Sequence, residues 1–391
     1  MAPWIQRSLS AVLVVLVVAA VVATPAKAGK KNDTLTFTWT KELETLDRYY
    51  NTAREGMIVS RHICDDLLYR DPVTMAYKPL LAKSYQWIDA KTLEFELRQG
   101  ITFHNGEPFD ADDVVFTINY VTNPDNKVLV QQNVDWMERA EKKGPFTVRI
   151  HLKKEFPAAL EYLSGNVPIY PNEYYAKEGP KGFGLKPVGT GPYKVVEVEQ
   201  SKRIVFKKNE NYFKASPKGQ PSIGTIVQRT IPEMTSQIAE LMTGGVDWIY
   251  MVPPDQFENL AKVPGITTVS GEDMRIAFLQ MDAAKRCGAT PFANLEVRRA
   301  VNHAIDRAAI AKNLVGGASR VIDTACFPTQ FGCDQNVMTY DYNPAKAREL
   351  LAKAGYPQGF ETDIYGYRDR TYLEAIVGYL REVGIKANLK F

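Results

Sequence analysis

The sequence predicts an α/β or α+β protein of two or three domains, preceded by a segment of different character. Three observations lead there. Stretches that alternate apolar and polar residues are interleaved with stretches of helical apolar spacing, the pattern of sheets layered with helices. The chain, at 391 residues, is too long to bury a single continuous core. Its first 28 residues also differ in composition from all that follows.

That leading segment has three parts. Arg7 supplies a positive start, residues 11–23 ("AVLVVLVVAAVVA") are apolar throughout, and Ala26 and Ala28 put small residues where a signal peptidase reads. The apolar run falls short of the roughly 20 residues a membrane span needs. The reading is therefore a Sec-type export signal cut between Ala28 and Gly29, in preference to an uncleaved anchor. No Cys follows the run to carry a lipid. Cleavage leaves 363 of the 391 residues, and Arg7 and Lys27 leave with the signal, so 48 Lys+Arg become 46 against 45 Asp+Glu. A balance of +1 argues against nucleic acid or an anionic membrane as the main partner.

The elements follow in order. In "DTLTFTWT" (33–40), Thr34, Thr36 and Thr38 alternate with Leu35, Phe37 and Trp39, which predicts a strand. "REGMIVSRHICDDLLY" (54–69) reads as one helix, with Val59, Ile63 and Leu67 four apart. Residues 92–109 read as hairpin-like, punctuated by Gly100 and Asn105-Gly106. Asp110 is placed to cap a helix from residue 111, with Asp112 and Asp113 in the first turn, where the helix dipole favours negative charge. Residues 166–192 are rich in Pro, Gly and Tyr and read as a long irregular crossing.

"GTGPYKVVEVEQSKRIVFKKNENYF" (189–213) is a hairpin with Val196, Val198, Ile204 and Phe206 on its buried face. Residues 231–245 predict a helix started by Pro232, stopped by Gly244, and apolar at Met234, Ile238, Leu241 and Met242. Asn294 caps a helix carrying Val297, Ala300, Val301, Ala304 and Ile305 on one face and running on towards residue 317. Asn343, Pro344 and Gly355 delimit another, with Ala347, Leu350, Leu351 and Ala354 inward.

GxSxG, HExxH and the paired SxxK and KTG motifs are absent. The four histidines, His62, His104, His151 and His303, lie far apart and read as structural. "GFGLKP" and "GTGPYK" both fail the dinucleotide template. Asp65-Asp66 and Asp112-Asp113 are neighbours whose side chains diverge on a helix, so each reads as a solvated face or a cap and not as an acid/base dyad. No metal or cofactor is expected. Of the four cysteines, Cys326 and Cys333 bracket "FPTQFG" and are placed to close that loop in an oxidising compartment. A Cys64–Cys287 bridge would be long-range, and spacing leaves the three pairings open.

Four ordered landmarks carry a resemblance: residues 81–120 ("LAKSYQWIDAKTLEFELRQGITFHNGEPFDADDVVFTINY"), 189–213, 294–317 and 342–357. In this order and spacing the chain resembles the extracellular solute-binding proteins of family 5, the peptide-, dipeptide- and nickel-binding type that serve ATP-driven importers. The resemblance implies a two-lobed periplasmic-binding-protein fold (type II, cluster C) with an extra inserted domain. Residues 29–60 and 188–272 would form lobe one, 61–187 the inserted domain, and 273–391 a second lobe. Because family members run on beyond this point, that lobe is expected to be incomplete here.

The implied protein is a periplasmic monomer, not an enzyme. It traps a small solute between its lobes and docks on an ABC permease complex. A peptide is the first expectation for the solute, with opine, oligosaccharide, glutathione or metal chelate as alternatives. Residues 271–282 would cross between lobes, with Arg275 either pairing a ligand carboxylate through its fork of donors or making an ordinary surface or interlobe ion pair. Trp39 and Thr40, at the end of the first strand, would face the ligand, with a core position the alternative for Trp39. Gly189 and Gly191 would let the chain re-enter lobe one at backbone angles other residues resist. The competing readings are an exported hydrolase with dispersed catalytic residues, which would consume its solute, and a non-transport receptor or chaperone of the same fold.

Overall fold

The computed structural model describes residues 29–391 except Glu272, Ala318 and Arg368. The export signal therefore lies outside the described residues. The chain forms two compact units that divide between Tyr250 and Met251.

The first unit contains strands β1 (Thr34–Trp39), β2 (Leu68–Arg70), β3 (Tyr77–Pro79), β4 (Ala82–Asp89), β5 (Thr92–Leu97), β6 (Met137–Gly144), β7 (Thr147–Leu152), β8 (Tyr193–Glu199), β9 (Arg203–Lys208) and β10 (Thr225–Thr230). Its helices are α1 (Arg54–Ile63), α2 (Ala111–Thr122), α3 (Ala159–Tyr162), α4 (Asn172–Leu185) and α5 (Met234–Met242). One four-stranded sheet has the order β1-β10-β9-β8, with β1 parallel to β10 and the other pairs antiparallel. A second four-stranded sheet, order β4-β5-β7-β6, is antiparallel throughout. Strands β2 and β3 form a short antiparallel pair.

On β1 the predicted alternation is real, yet Thr36 and Thr38 are as buried as Phe37 and Trp39. Both faces of this strand are covered, as parallel strands in α/β layers require. Thr38 Oγ1 donates to Gln237 Oε1 of α5 at 2.6 Å, so the hydroxyl is satisfied inside. Phe37, Ile63, Phe95, Phe109, Ile150 and Phe206 belong to one continuous hydrophobic cluster that takes in both four-stranded sheets. Burying an aromatic side chain such as Phe95, fully inaccessible here, stabilises by about 1.5–3 kcal/mol.

Asp110 caps α2 as expected. Its side chain accepts from the Asp112 N–H, and Asp113 reaches back to the Asp110 N–H at 3.0 Å, a capping box. Four expectations fail for tertiary reasons. The helix expected over 54–69 stops at Ile63, because the Ile63 carbonyl accepts the Gly191 N–H at 3.0 Å and Cys64 turns extended. The crossing at 166–192 holds α4, kinked where Gly179 is left-handed (φ 65°) ahead of Pro180. The hairpin's Val196 is half exposed, since a bulge between Val195 and Glu197 shifts the register and sets Val195 opposite Phe206. Asp65 and Asp66 are buried and not a solvated face.

The second unit contains α6 (Pro254–Leu260), α7 (Leu295–Ala304), α8 (Arg307–Ile310), α9 (Pro344–Lys353), strand β11 (Phe360–Tyr365), α10 (Arg370–Glu382) and β12 (Ile385–Lys390). Strands β11 and β12 pair in parallel, joined through α10, which makes a β-α-β unit. Its core gathers Val297, Val301, Leu350, Leu351, Ile364 and Ile385. Asn294 and Asn343 cap α7 and α9 with their side-chain oxygens. The helix expected to continue towards 317 breaks at Ile305, which is extended, and restarts under an Asp306 cap. The described residues between 271 and 282 form no strand. Cys326 and Cys333 are joined by a disulfide across Cα atoms 5.8 Å apart, while Cys64 and Cys287 are free thiols. No helix among the described residues is long and apolar enough to cross a membrane.

Candidate functional site

The Gly189–Pro192 turn is a structural hub. Gly189 and Gly191 both have negative φ, so left-handed backbone is not what requires them. Close approach does: a Cβ on Gly189 would collide with the Ile63 carbonyl, and one on Gly191 would lie 2.6 Å from the His62 carbonyl. The turn packs against the last residues of α1 with no room for a side chain. His104 locks it from the other side, accepting from the Gly189 N–H through Nδ1 (3.3 Å) and donating from Nε2 to the Gly191 carbonyl (2.9 Å). Burial holds this imidazole's pKa below its ordinary value, in keeping with the neutral form that these two bonds need. Thr190 donates to buried Asp65 at 3.1 Å, and Lys218 Nζ meets the same carboxylate at 2.6 Å.

Three further buried carboxylates hold one segment, residues 167–175. Asp66 accepts from the Val167 N–H (2.8 Å), Asp113 from the Asn172 N–H (2.9 Å), and Asp47 from the hydroxyls of Tyr170 (3.1 Å) and Tyr175 (2.6 Å). Desolvation pushes their pKa values up, Asp47 to about 6 and Asp66 and Asp113 to about 7. These groups sit beneath the surface and brace the fold.

The part of the first unit most suited to a solute lies beside β1. Ligands of open α/β sheets gather at the carboxyl ends of parallel strands, and β1 and β10 end together, with Trp39 opposite Thr230. Phe37 of β1 also forms an isolated parallel bridge to Trp248. The Trp248 ring stacks on Tyr250 (centroids 5.4 Å, interplanar angle 18°) and is 51% exposed. The Arg54 guanidinium lies 5.2 Å from the Tyr250 centroid. Tyr250 donates its hydroxyl to Glu55 Oε1 at 2.7 Å, and Arg54 Nη2 reaches the same oxygen at 3.2 Å. Partial burial raises the Glu55 pKa, but the bonds from Tyr250 and Arg54 outweigh it and hold the carboxyl below its ordinary value, hence ionised. The result is an aromatic pair, Trp248 exposed and Tyr250 partly buried, edged by one positive and one negative charge.

The residues singled out in the sequence fall as follows. Trp39 is 2% exposed, edge-on to Phe37 at 5.3 Å, and so supports this end of the sheet from within. Thr40, the next residue, is exposed. Arg275 is exposed in the second unit, its N–H bonded to the Asp273 side chain at 2.9 Å. Trp39 and Thr40 belong to one unit and Arg275 to the other. Sequence reasoning missed Arg54, Glu55, Trp248 and Tyr250. The available signal was the aromatic pair in "DWIYM", a strand-like stretch after the Gly244 stop. Among the described residues, no cluster of three or more His, Cys, Asp or Glu is placed to hold a metal ion.

Known proteins share this architecture. The glutathione-binding protein GsiB of Salmonella paratyphi A is 29% identical over 350 residues, covering 88% of this chain and 67% of its own length. The periplasmic binding protein DppA of Helicobacter pylori, solved with the peptide STSA, is 26% identical at a TM-score of 0.76, covering 94% of this chain and 74% of that one. NikA of Brucella suis, solved with Fe(III)-EDTA, is 27% identical at a TM-score of 0.77, covering 91% and 74%. The α/β fold is that of the two-lobed type II binding proteins. Residues 76–391 match the family described as bacterial extracellular solute-binding proteins, family 5. This chain therefore belongs to family 5 of the bacterial extracellular solute-binding proteins, of the ABC importer type.

Proposed function

We propose that the protein captures a small solute, a peptide before other classes, by closing two lobes on it, and delivers it unchanged to an ABC permease from the periplasm. The family match over residues 76–391 carries this reading. Relatives described as binding glutathione, a peptide and Fe(III)-EDTA support a carboxylate-bearing ligand. A few kcal/mol separate open and closed states in such a mechanism, and the solute shifts the balance by its differential affinity.

The domain plan proposed with it is lobe one at 29–60 and 188–272, an inserted domain at 61–187, and a second lobe from 273. In its support, one four-stranded sheet draws only on strands between Thr34 and Thr230 that lie outside 61–187, and the other only on strands between Ala82 and Leu152. Thr40 and Arg275 are proposed as ligand contacts, with Trp39 backing the first.

The deciding experiment is mass spectrometry of the solute that co-purifies, followed by titration of that solute and small-angle scattering. Stoichiometric binding, recovery of the solute intact and a smaller radius of gyration are expected. Consumption of the solute overturns the reading in favour of a hydrolase, and uptake unaffected by deletion of the gene removes transport. Arg275→Ala is expected to weaken a carboxylate-bearing solute about tenfold, the scale of one charge-assisted hydrogen bond. Unchanged affinity removes Arg275 from the site.

A further inference from the structure

We infer that strand β4 of the first unit is a docking edge for a second copy of this chain, the two strands pairing antiparallel about a two-fold axis at Gln86. The pairing is independent of the solute, and it gives a dimer where the family resemblance implies a monomer.

An edge strand presents a row of unpaired N–H and C=O groups, and proteins commonly guard such edges with charge. The antiparallel four-stranded sheet has two edges, β4 and β6. Strand β6 is guarded by Glu138, Arg139, Glu141, Lys142 and Lys143. Strand β4 carries no charge from Ser84 to Ile88. Among the described residues only β5 pairs with β4. The Ala82 N–H reaches the Leu67 carbonyl, but residues 83–88 make no backbone hydrogen bond to any described segment other than β5.

The two faces of β4 differ. Tyr85 and Trp87 lie opposite Phe95 and Leu93 of β5, both fully buried, so all four stand on the apolar face of the sheet. Tyr85 packs on Phe95, with ring centroids 6.1 Å apart. Trp87 is nevertheless 42% exposed and Ile88 44%. The apolar face therefore runs to the rim of the sheet and ends there uncovered. Ser84 and Gln86 stand on the other face, hydrogen-bonded to Glu96 and Glu94. Irregularities between Ala82 and Ser84 and between Trp87 and Asp89 leave Ser84–Trp87 as the regular stretch open to pairing.

The residues around Gln86 complement themselves. Antiparallel pairing on that axis sets Tyr85 opposite the partner's Trp87, and Trp87 opposite the partner's Tyr85, two aromatic cross-strand pairs. It also sets Lys83 towards the partner's Asp89, so opposite charges flank an uncharged centre and no like charges meet. Lys83 meets Glu96 at 2.9 Å and Asp89 accepts the Lys91 N–H at 2.7 Å, both at the surface, where a further counter-charge can share them. A two-fold pairing closes after two copies, whereas head-to-tail addition would leave an edge open for the next.

The test is sedimentation equilibrium of the full chain over a wide range of concentration, with Cys287→Ser throughout so that the exposed free thiol forms no bridge. A reversible monomer–dimer equilibrium is expected, weak because one strand edge is a small interface. Trp87→Glu is expected to weaken it about tenfold or more, since symmetry removes the aromatic pair twice and puts a charge on the apolar rim. Gln86→Cys, on the axis, is expected to form an intermolecular disulfide under mild oxidation, because opposed strand residues lie about 4.5–5.5 Å apart at Cα, within disulfide reach. Glu138→Cys, on the β6 edge, is expected not to. Circular dichroism checks that Trp87→Glu is folded, and if it is not, the two cysteine variants decide.

A monomer at every concentration, a dimer undiminished in folded Trp87→Glu, or crosslinking no faster at Gln86→Cys than at Glu138→Cys overturns the inference. Hydrogen exchange slowed over Ser84–Trp87 by solute, in a chain that stays monomeric, overturns it in favour of the ligand.

Discussion

The two units are held together by different kinds of contact. In the first, β1 pairs along its whole length with β10, Thr34 with Thr225 and Trp39 with Thr230, and of the strands between them in sequence only β8 and β9 share their sheet. In the second, β11, α10 and β12 follow one another directly and α9 precedes them within a few residues. The first unit's sheet joins strands far apart in sequence, whereas the β11-α10-β12 part of the second joins neighbours, although α7 still packs with α9 across the intervening loop. Their surfaces differ as well. Val269, Phe278, Tyr365 and Tyr367, all at least 70% exposed, belong to the second unit. The first unit gathers most of its buried apolar residues in one large cluster, with exceptions such as Val73, 88% exposed, and the second leaves a larger share of its apolar residues in water.

Core truncation should break the comparison most sharply. Phe95→Ala in the first unit is expected to cost about 3–5 kcal/mol, and Leu351→Ala in the second about 2–5 kcal/mol. Hydrogen exchange read by mass spectrometry should show protection lost only within the unit that carries the substitution. Loss that spreads from one to the other would mean that the two cores unfold as one.

Next comes pH, which acts on the buried carboxylates of the first unit. Asp47, Asp66 and Asp113 of the first unit have folded pKa values raised above the ordinary 3.8, to about 6, 7 and 7. A raised carboxylate pKa means that the folded state holds the proton more tightly than the unfolded state does. The stabilisation from protonation is full below about pH 4 and is lost as pH rises through 6 to 7. Denaturant titration is expected to show the first unit losing stability between about pH 4 and 7. Asp66→Asn or Asp113→Asn, neutral at every pH, should flatten that slope. A slope that stays unchanged in both variants would place its origin elsewhere.

The smallest expected effect is in the second unit. Asn343 caps α9 by accepting the Lys346 N–H at 3.0 Å. Asn343→Ala should cost about 1 kcal/mol, seen as faster exchange over Pro344–Lys353 alone.

What could be read from the sequence follows the same divide. The caps at Asp110, Asn294 and Asn343 and the stop at Gly355 were legible because each acts within a few residues. The family and its fold class were legible from four landmarks in order. The end of α1 at Ile63 was not, because its cause is a carbonyl claimed by Gly191 from far along the chain. The burial of Asp65 depends on Lys218, Thr190 and Tyr212, and no local window contains them. The aromatic pair was missed for the same reason. Trp248 and Tyr250 become a surface only when the bridge to Phe37 lays them beside α1.

Helix α1 links two places described separately above. Ten residues make a rod about 15 Å long. Its far end is wedged against two glycines that tolerate no side chain, and its near end bears the neighbouring charges Arg54 and Glu55. A helix so wedged can shift at its charged tip only as a rigid piece, with the turn where the polypeptide comes back to its first sheet as its fixed end.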